Sequence, residues 1–103
     1  MRVIWSPLAQ QQRKNTARYI RQEFGRKAAE KFHQNIMQWI SLITNNPAIG
    51  SKDLLLQTRA KEYRSVVISK QNKLVYYVAG DTLHIAALWD TCREPRAQAR
   101  TCP

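Results

Sequence analysis

The stretch YRSVVISKQNKLVYYVAGDTLHIAALWDTCREP, from Tyr63 to Pro95, decides the fold of this chain. Three runs in it are rich in β-branched and aromatic residues: Tyr63 to Ser69, Leu74 to Ala79, and Thr82 to Trp89. That composition favours strands of a pleated, half-buried sheet. Gly80-Asp81 predicts a type II′ hairpin turn, because glycine suits the first position of such a loop, and Lys70 to Lys73 predicts an earlier, looser turn. The stretch therefore predicts an antiparallel meander of three strands.

The hairpin turn also predicts which side chains share a face of the sheet. If Ala79 pairs with Thr82, then Tyr77 lies opposite His84, and side chains alternate between the two faces. The face we expect to be core carries mostly large apolar residues: Leu74, Tyr76, Val78, Leu83, Ile85, Ala87 and Trp89. The other face is mixed, and we expect it to meet a partner or ligand: Val75, Tyr77, His84, Ala86 and Leu88.

The residues before the meander predict a short strand and two helices. Val3-Ile4-Trp5 is an apolar strand candidate, and Ser6-Pro7 combines a good N-cap with the residue favoured at the first helical position. Helix one should run from Pro7 to about Phe24 and end at Gly25. Its apolar side is thin: Leu8, Ala9, Ala17, Ile20 and Phe24.

Helix two should begin near Arg26 or Lys27 and stop at Asn45-Asn46-Pro47. Apolar residues recur along it at spacings of three and four: Ala29, Phe32, Ile36, Trp39, Ile40 and Ile43. The predicted fold class is α+β, an antiparallel sheet of about four strands with an N-terminal αα-hairpin packed on one face, in the order β-α-α-β-β-β.

Length and charge restrict the function classes. The 103 residues are enough for a single domain spanning 1–103, with a basic tail from about residue 96. Seventeen Lys and Arg against seven Asp and Glu give a formal net charge of +10. Such a charge points to nucleic acid, an anionic membrane or an acidic protein as partner. Because no apolar run approaches the roughly 18 residues of a membrane span, and no signal peptide is evident, we expect a cytoplasmic protein without membrane contact.

No cofactor or metal is predicted. Cys92 and Cys102 do not have the spacing of a zinc site, and both should be free thiols in a reducing compartment. A phosphate-binding loop, a dinucleotide fingerprint and a nucleophile elbow are also missing from the sequence. What remains is a group of basic and titratable residues in or near the meander: Lys52, Arg59, Lys61, Glu62, Arg64, Tyr77, His84, Asp90 and Arg93.

The order of these features resembles the RelE/ParE superfamily of bacterial type II toxins over nearly the whole chain. The resemblance is carried by short motifs in a fixed order: Ser6-Pro7-x-Ala9, Tyr19-Ile20, Ala28 to Leu42, Asn46-Pro47-x-x-Gly50, Tyr63-Arg64-Ser65, Tyr76-Tyr77, and Trp89 to Pro95. It implies a growth-inhibiting toxin, of the kind associated with plasmid stabilisation, that a cognate acidic antitoxin neutralises. RelE-like relatives cut messenger RNA on the ribosome, whereas ParE-like relatives poison DNA gyrase. An inactive member that only binds its antitoxin is the alternative.

The resemblance also assigns residues to the RNase reading. Cleavage needs a base that takes the proton of the 2′-OH and a cation that stabilises the extra negative charge on the phosphorane. Arg64 matches the strand arginine of nuclease members, and Arg93 matches the second of two basic residues after the last strand. Cys92 stands where the first is usual. The general base stays open among Glu62, His84 and Asp90, while binding roles fall to Lys52, Arg59, Lys61, Tyr77 and Asp90.

Structural roles for the same residues are the alternative. Arg64 could pair with Asp90 or Glu94 instead of serving a ligand. It also has the parity of Val66 and Ile68, which predicts either a bulge or a place at the sheet edge. His84 opposite Tyr77 fits a packed, hydrogen-bonded histidine.

Overall fold

The structure is a computed structural model, and it describes residues 1–52, 61–69 and 72–90, apart from the side chain of Asp90. Two helices and a single 3₁₀ turn are found there, namely α1 (Pro7–Phe24), α2 (Arg26–Asn45) and the 3₁₀ helix Pro47–Ile49. The strands of the described part are β1 (Arg2–Trp5), β2 (Ser51–Lys52), β3 (Arg64–Ser69), β4 (Asn72–Ala79) and β5 (Thr82–Asp90).

All five strands belong to one sheet, in the order β1-β5-β4-β3-β2. The predicted α+β class and helical hairpin are confirmed, with two corrections. The sheet has five strands instead of about four. The sequence did not indicate β2, because its two residues are too few to show an alternation. It is also mixed, because β1 runs parallel to β5 while the other pairs are antiparallel.

The predicted hairpin between β4 and β5 is confirmed. Ala79 pairs with Thr82 and Tyr77 with His84. Gly80 has a φ of 61°, and no described non-glycine residue has a positive φ, which is the combination that a type II′ turn requires. The earlier turn is shorter than predicted, because Asn72 and Lys73 belong to β4.

A β-bulge in β5 changes the predicted faces. Val75 pairs with Ala87 and Tyr76 with Ile85, so Ala86 is an extra residue on β5. Beyond it, Leu88 lies among the core residues under the helices, and the alternation moves Ala87 and Trp89 to the opposite face. The prediction was therefore wrong for these three residues. It was also wrong for Val78, which is 38% exposed.

The core lies between the helical hairpin and one face of the sheet. It is made of apolar side chains from both layers, with Tyr76 the largest of the fully buried ones: Ala9, Phe32, Ile36, Ile40, Ile43, Val66, Ile68, Leu74, Tyr76, Leu83, Ile85 and Leu88. Most of the predicted α2 stripe is buried, and only Ala29 and Trp39 are half-buried. No helix in the described ranges is long and apolar enough to cross a membrane.

Helix α1 begins and ends as its sequence predicts. The Ser6 hydroxyl accepts a hydrogen bond from the Ala9 N–H at 2.9 Å, and Pro7 occupies the first helical position. Gly25 ends the helix with a φ of 96°, a conformation that favours glycine. Two of its predicted apolar residues are not core, since Leu8 is 53% and Phe24 70% exposed.

Polar groups join α1 to the bulged strand. The Ser6 hydroxyl also donates to the Ala86 carbonyl oxygen at 2.8 Å, and the Ser6 N–H donates to the Ile85 carbonyl at 2.9 Å. The Gln12 side-chain oxygen accepts from the Leu88 N–H at 2.7 Å. Backbone groups that the bulge releases from the ladder thus find partners on α1 and its cap.

Candidate functional site

Arg64 begins β3 at the boundary of the core. It pairs with Tyr76 across the sheet. Its side chain lies at the edge of the core face and contacts the segment that follows α2. Its guanidinium donates from Nη1 to the Gly50 carbonyl oxygen at 2.7 Å and to the Ala48 carbonyl at 3.4 Å. Its side chain is only 24% exposed. Arg64 can therefore share the face of the core residues Val66 and Ile68, because backbone carbonyls accept hydrogen bonds from its guanidinium at the core boundary.

Glu62 provides the remaining partner of Arg64. Its Oε1 lies 3.1 Å from Arg64 Nη2 and 3.3 Å from Lys52 Nζ. The carboxylate is therefore shared by two cations from β2 and β3, at a place where it is about half exposed. A carboxylate partner for Arg64 was predicted at Asp90 or Glu94, whose side chains lie outside the described part.

The sequence predicted Tyr76 on the core face but did not indicate a role for its hydroxyl. Its hydroxyl donates to the Pro47 carbonyl oxygen at 2.7 Å and accepts from the Gly50 N–H at 2.9 Å. Burial raises the pKa of this phenol, while the hydrogen bond from Gly50 and the charge of Arg64 oppose the rise. A signal was present, because a tyrosine in the core-facing row must find a partner for its hydroxyl.

Gly50 is held so closely that no larger residue fits. A Cβ at this position would lie 2.6 Å from the Tyr76 hydroxyl oxygen and 2.9 Å from the Ser65 carbonyl oxygen. Tyr76 and Arg64 thus grip the backbone on both sides of Gly50, the first through its N–H and the second through its carbonyl. We call these three residues the Gly50 clamp.

An aromatic cluster lies on the sheet face opposite the helices. The rings of Tyr77 and His84 stack with centroids 4.7 Å apart and planes only 7° from parallel. Tyr63 packs its edge against Tyr77 at 5.3 Å, and Lys61 Nζ lies 4.7 Å from the Tyr77 ring centroid. Lys61 and Tyr77, which were predicted as binding residues, are therefore in contact. His84 packs against the Tyr77 ring.

A cleft of about 200 Å³ separates the Gly50 clamp from the aromatic cluster. Its lining combines groups from both: Pro47, Ala48, Glu62, Arg64, Tyr76, Tyr77 and Val78. The volume is below the roughly 300–1,000 Å³ of ordinary small-molecule sites. The cleft suits one inserted side chain of a partner better than a cofactor or a nucleotide.

Comparison with known proteins places the fold. The family model described as the ParE toxin of the type II toxin–antitoxin system parDE matches residues 3–95. The chain belongs to this family. Sequence comparison with curated proteins found no significant match.

Solved structures agree with this ParE-family fold. A chain of the chromosomal ParDE toxin–antitoxin system from P. aeruginosa aligns with a TM-score of 0.68 and 14% identity, covering 87% of this chain and 95% of the other. The YoeB dimer from Staphylococcus aureus aligns with a TM-score of 0.59 and 24% identity, covering 86% and 94%. At these identities the likeness shows a shared fold alone.

The site of this ParE-family chain brings together six of the residues singled out in the sequence, because Lys61 and His84 also contact the Tyr77 ring. Lys52, Glu62 and Arg64 form a connected ionic group, and Tyr77 shares the cleft with the last two. Arg59 and Arg93 lie outside the described residues, as do the two cysteines. Within the described ranges, no group of three or more His, Cys, Asp or Glu side chains could hold a metal ion.

Proposed function

We propose that this member of the ParE toxin family inhibits growth by binding DNA gyrase, not by cleaving messenger RNA, and that an acidic antitoxin neutralises it. Membership of the family supports a toxin of a type II system. The choice of gyrase rests on the state of Arg64, whose guanidinium is already engaged by two carbonyl oxygens and one carboxylate.

An RNase of this kind needs a cation that is free to meet the phosphorane. Electrostatic groups accelerate such reactions because they are preorganised toward the charge that develops in the transition state. Arg64 is instead directed at the backbone around Gly50 and at Glu62, and moving it would take its donor from the part-buried carbonyl oxygen of Gly50. Its geometry therefore supports a structural role in the Gly50 clamp.

The candidate bases in the described part also make structural contacts. The Glu62 carboxylate is held by Lys52 and Arg64, and the His84 ring is stacked on Tyr77. A general base must reach the proton that it abstracts, within hydrogen-bonding distance or through one water. The contacts of Glu62 and His84 support a role for both residues in shaping a binding surface.

An acidic antitoxin is the partner that the charge of the chain favours. A formal net charge of +10 should draw a polyanionic chain, and a segment that folds on binding can set apolar side chains beside carboxylates. The half-buried Tyr77 and the exposed Val78 offer apolar anchors next to the cations of the site. Rim charges act mostly on the association rate, so salt should slow association more than it speeds release. Association and dissociation rates at low and high ionic strength test this, and association that ignores salt would contradict it.

A paired assay distinguishes gyrase inhibition from RNA cleavage. Purified toxin would be tested in gyrase supercoiling, and RNA ends would be mapped in induced cells. We expect inhibited supercoiling and no new RNA ends. Toxin-dependent RNA ends with normal supercoiling would reverse the assignment. Normal supercoiling without new RNA ends, together with intact antitoxin binding, would indicate an inactive member.

The variant Glu62→Gln makes this test sharper, because the amide still accepts a hydrogen bond from Arg64 while a carboxylate base is removed. Loss of a general base costs about 10²- to 10⁴-fold in rate. We expect toxicity to survive Glu62→Gln as it survives Glu30→Gln, a matched change in the exposed Arg26–Glu30 pair. A loss confined to Glu62→Gln would favour the RNase.

A further inference from the structure

The tip of the helical hairpin exposes an aromatic pair that the site described above does not use. Phe24, the last residue of α1, is 70% exposed and is the most exposed of the large apolar side chains in the described part. Tyr19 packs edge to face against it, with ring centroids 6.4 Å apart and planes at 78°. Burial of Phe24 in the core cannot account for an aromatic residue here.

Basic residues surround this pair along the chain. Between Arg18 and Lys27 there are four basic side chains and one acidic, and all five are exposed: Arg18, Arg21, Glu23, Arg26 and Lys27. Arg26 also meets Glu30 at 3.3 Å, but both side chains are largely exposed, and such surface pairs contribute little and exchange readily. We call Tyr19, Phe24 and the four basic residues the hairpin tip.

A cleft of about 380 Å³ opens beside the tip, between the end of α1 and the first turns of α2. Arg21 from α1 and Arg26 and His33 from α2 line it together with one acid, Glu30. Guanidinium groups match phosphate oxygens with two parallel hydrogen bonds. The cleft thus places phosphate-binding groups within a few residues of an exposed ring.

We propose that the hairpin tip binds single-stranded nucleic acid, with an unstacked base on Phe24 and backbone phosphates on Arg21 and Arg26. Proteins that bind single strands combine such a basic track with aromatic side chains on which bases stack. An acidic protein groove or a membrane would need further exposed aliphatic groups around Phe24. Between residues 18 and 27 the remaining large apolar side chain, Ile20, is instead half-buried against the core.

The proposal goes beyond gyrase inhibition and does not depend on it, so binding is measured without gyrase. Purified toxin would be titrated into a fluorescein-labelled oligothymidylate and into a duplex of the same length, with anisotropy as readout. We expect tighter binding to the single strand. Phe24→Ala should weaken that binding roughly 5- to 150-fold, because stacking on an aromatic ring contributes about 1–3 kcal/mol per base.

The charge component has its own signature. Arg21→Gln should lower the slope of log affinity against log salt by about 0.7, the value for one lost phosphate contact on a single strand. Two changes elsewhere serve as matched controls, Val67→Ala for an exposed apolar side chain on β3 and Arg2→Gln for an exposed arginine on β1. Both should leave the affinity for oligothymidylate unchanged.

Three outcomes would overturn the proposal. Phe24→Ala binding that equals the wild type would reduce the effect to the net charge of the protein. Equal loss in the two control variants would do the same. If the tip variants lose antitoxin or gyrase binding while their affinity for oligothymidylate stays intact, the tip is a protein-docking surface.

Discussion

Helices α1 and α2 lie on the same sheet but are attached to it by different interactions. Four large apolar side chains of α2 are buried, whereas α1 buries only Ala9 and Thr16 among its residues. Helix α1 adds the half-buried Ala17 and Ile20 to the core, and hydrogen bonds of its cap and of Gln12 join it further to β5. Most residues of α1 are exposed, which leaves a large part of its surface available for partners.

The largest effect should come from the α2 side of this comparison. Ile36 is fully buried, so Ile36→Ala should lower the free energy of unfolding by about 2–5 kcal/mol through the cavity that it leaves. Met37→Ala, one residue along and 48% exposed, is the control and should change it by less than about 0.5 kcal/mol. Trp39→Ala should fall between them, because Trp39 is half-buried. Chemical denaturation measures all three, and equal midpoints for Ile36→Ala and Met37→Ala would contradict the packing.

The Gly50 clamp holds the chain just after α2, and Tyr76→Phe tests it. Removing the hydroxyl leaves the Pro47 carbonyl and the Gly50 N–H without their partner, at a cost of about 1–3 kcal/mol. The raised pKa of Tyr76 adds a pH signature. Above about pH 10 the unfolded phenol loses its proton before the folded one, so stability falls as pH rises. The fall should be smaller in Tyr76→Phe, and identical pH profiles for the two proteins would count against the burial of this phenol.

The α1 side of the comparison is tested by Gln12→Ala. Its side chain is the acceptor for the Leu88 N–H beside the bulge, so truncation should cost about 1–3 kcal/mol. Gln11→Ala is the matched control, since Gln11 bonds only the exposed Asn15 one turn along the same helix. A calorimetric melting temperature for each variant is sufficient. Equal temperatures would mean that α1 is attached to β5 in another way.

The smallest effect should be at the hairpin tip. Phe24→Ala removes a ring that is 70% exposed, so the free energy of unfolding should change by no more than about 0.5 kcal/mol. The same denaturation experiment measures it. A loss of 2 kcal/mol or more, on the scale of about 3–5 for a buried phenylalanine, would show that the ring is part of the core.

Local signals predicted the helices well because each end carries its own chemistry. Ser6-Pro7, Gly25 and Asn46-Pro47 determine the bounds of α1 and α2 without help from the rest of the chain. The β4–β5 register was equally local, since Gly80 fixes the turn and the turn fixes the pairing nearest to it.

What failed depended on contacts between distant residues. The bulge at Ala86 is stabilised by Ser6 and Gln12, which lie some eighty residues earlier, and nothing near Ala86 indicates it. Arg64 was singled out from the sequence as a candidate catalytic residue, but two of its hydrogen-bond acceptors are the backbone carbonyls of Ala48 and Gly50, which carry no side-chain signature. Alternation cannot reveal such acceptors.

The parallel pairing of β1 with β5 has a consequence for the order of folding. The Ser6 hydroxyl meets a carbonyl 80 positions away, so the first strand has no place in the sheet until the last one has been synthesised. Pairings this remote in sequence are slow to form, because the intervening chain must be closed into a loop first. During translation β1 should stay unpaired until β5 is available. The nascent protein should become protease-resistant only after β5 has emerged from the ribosome.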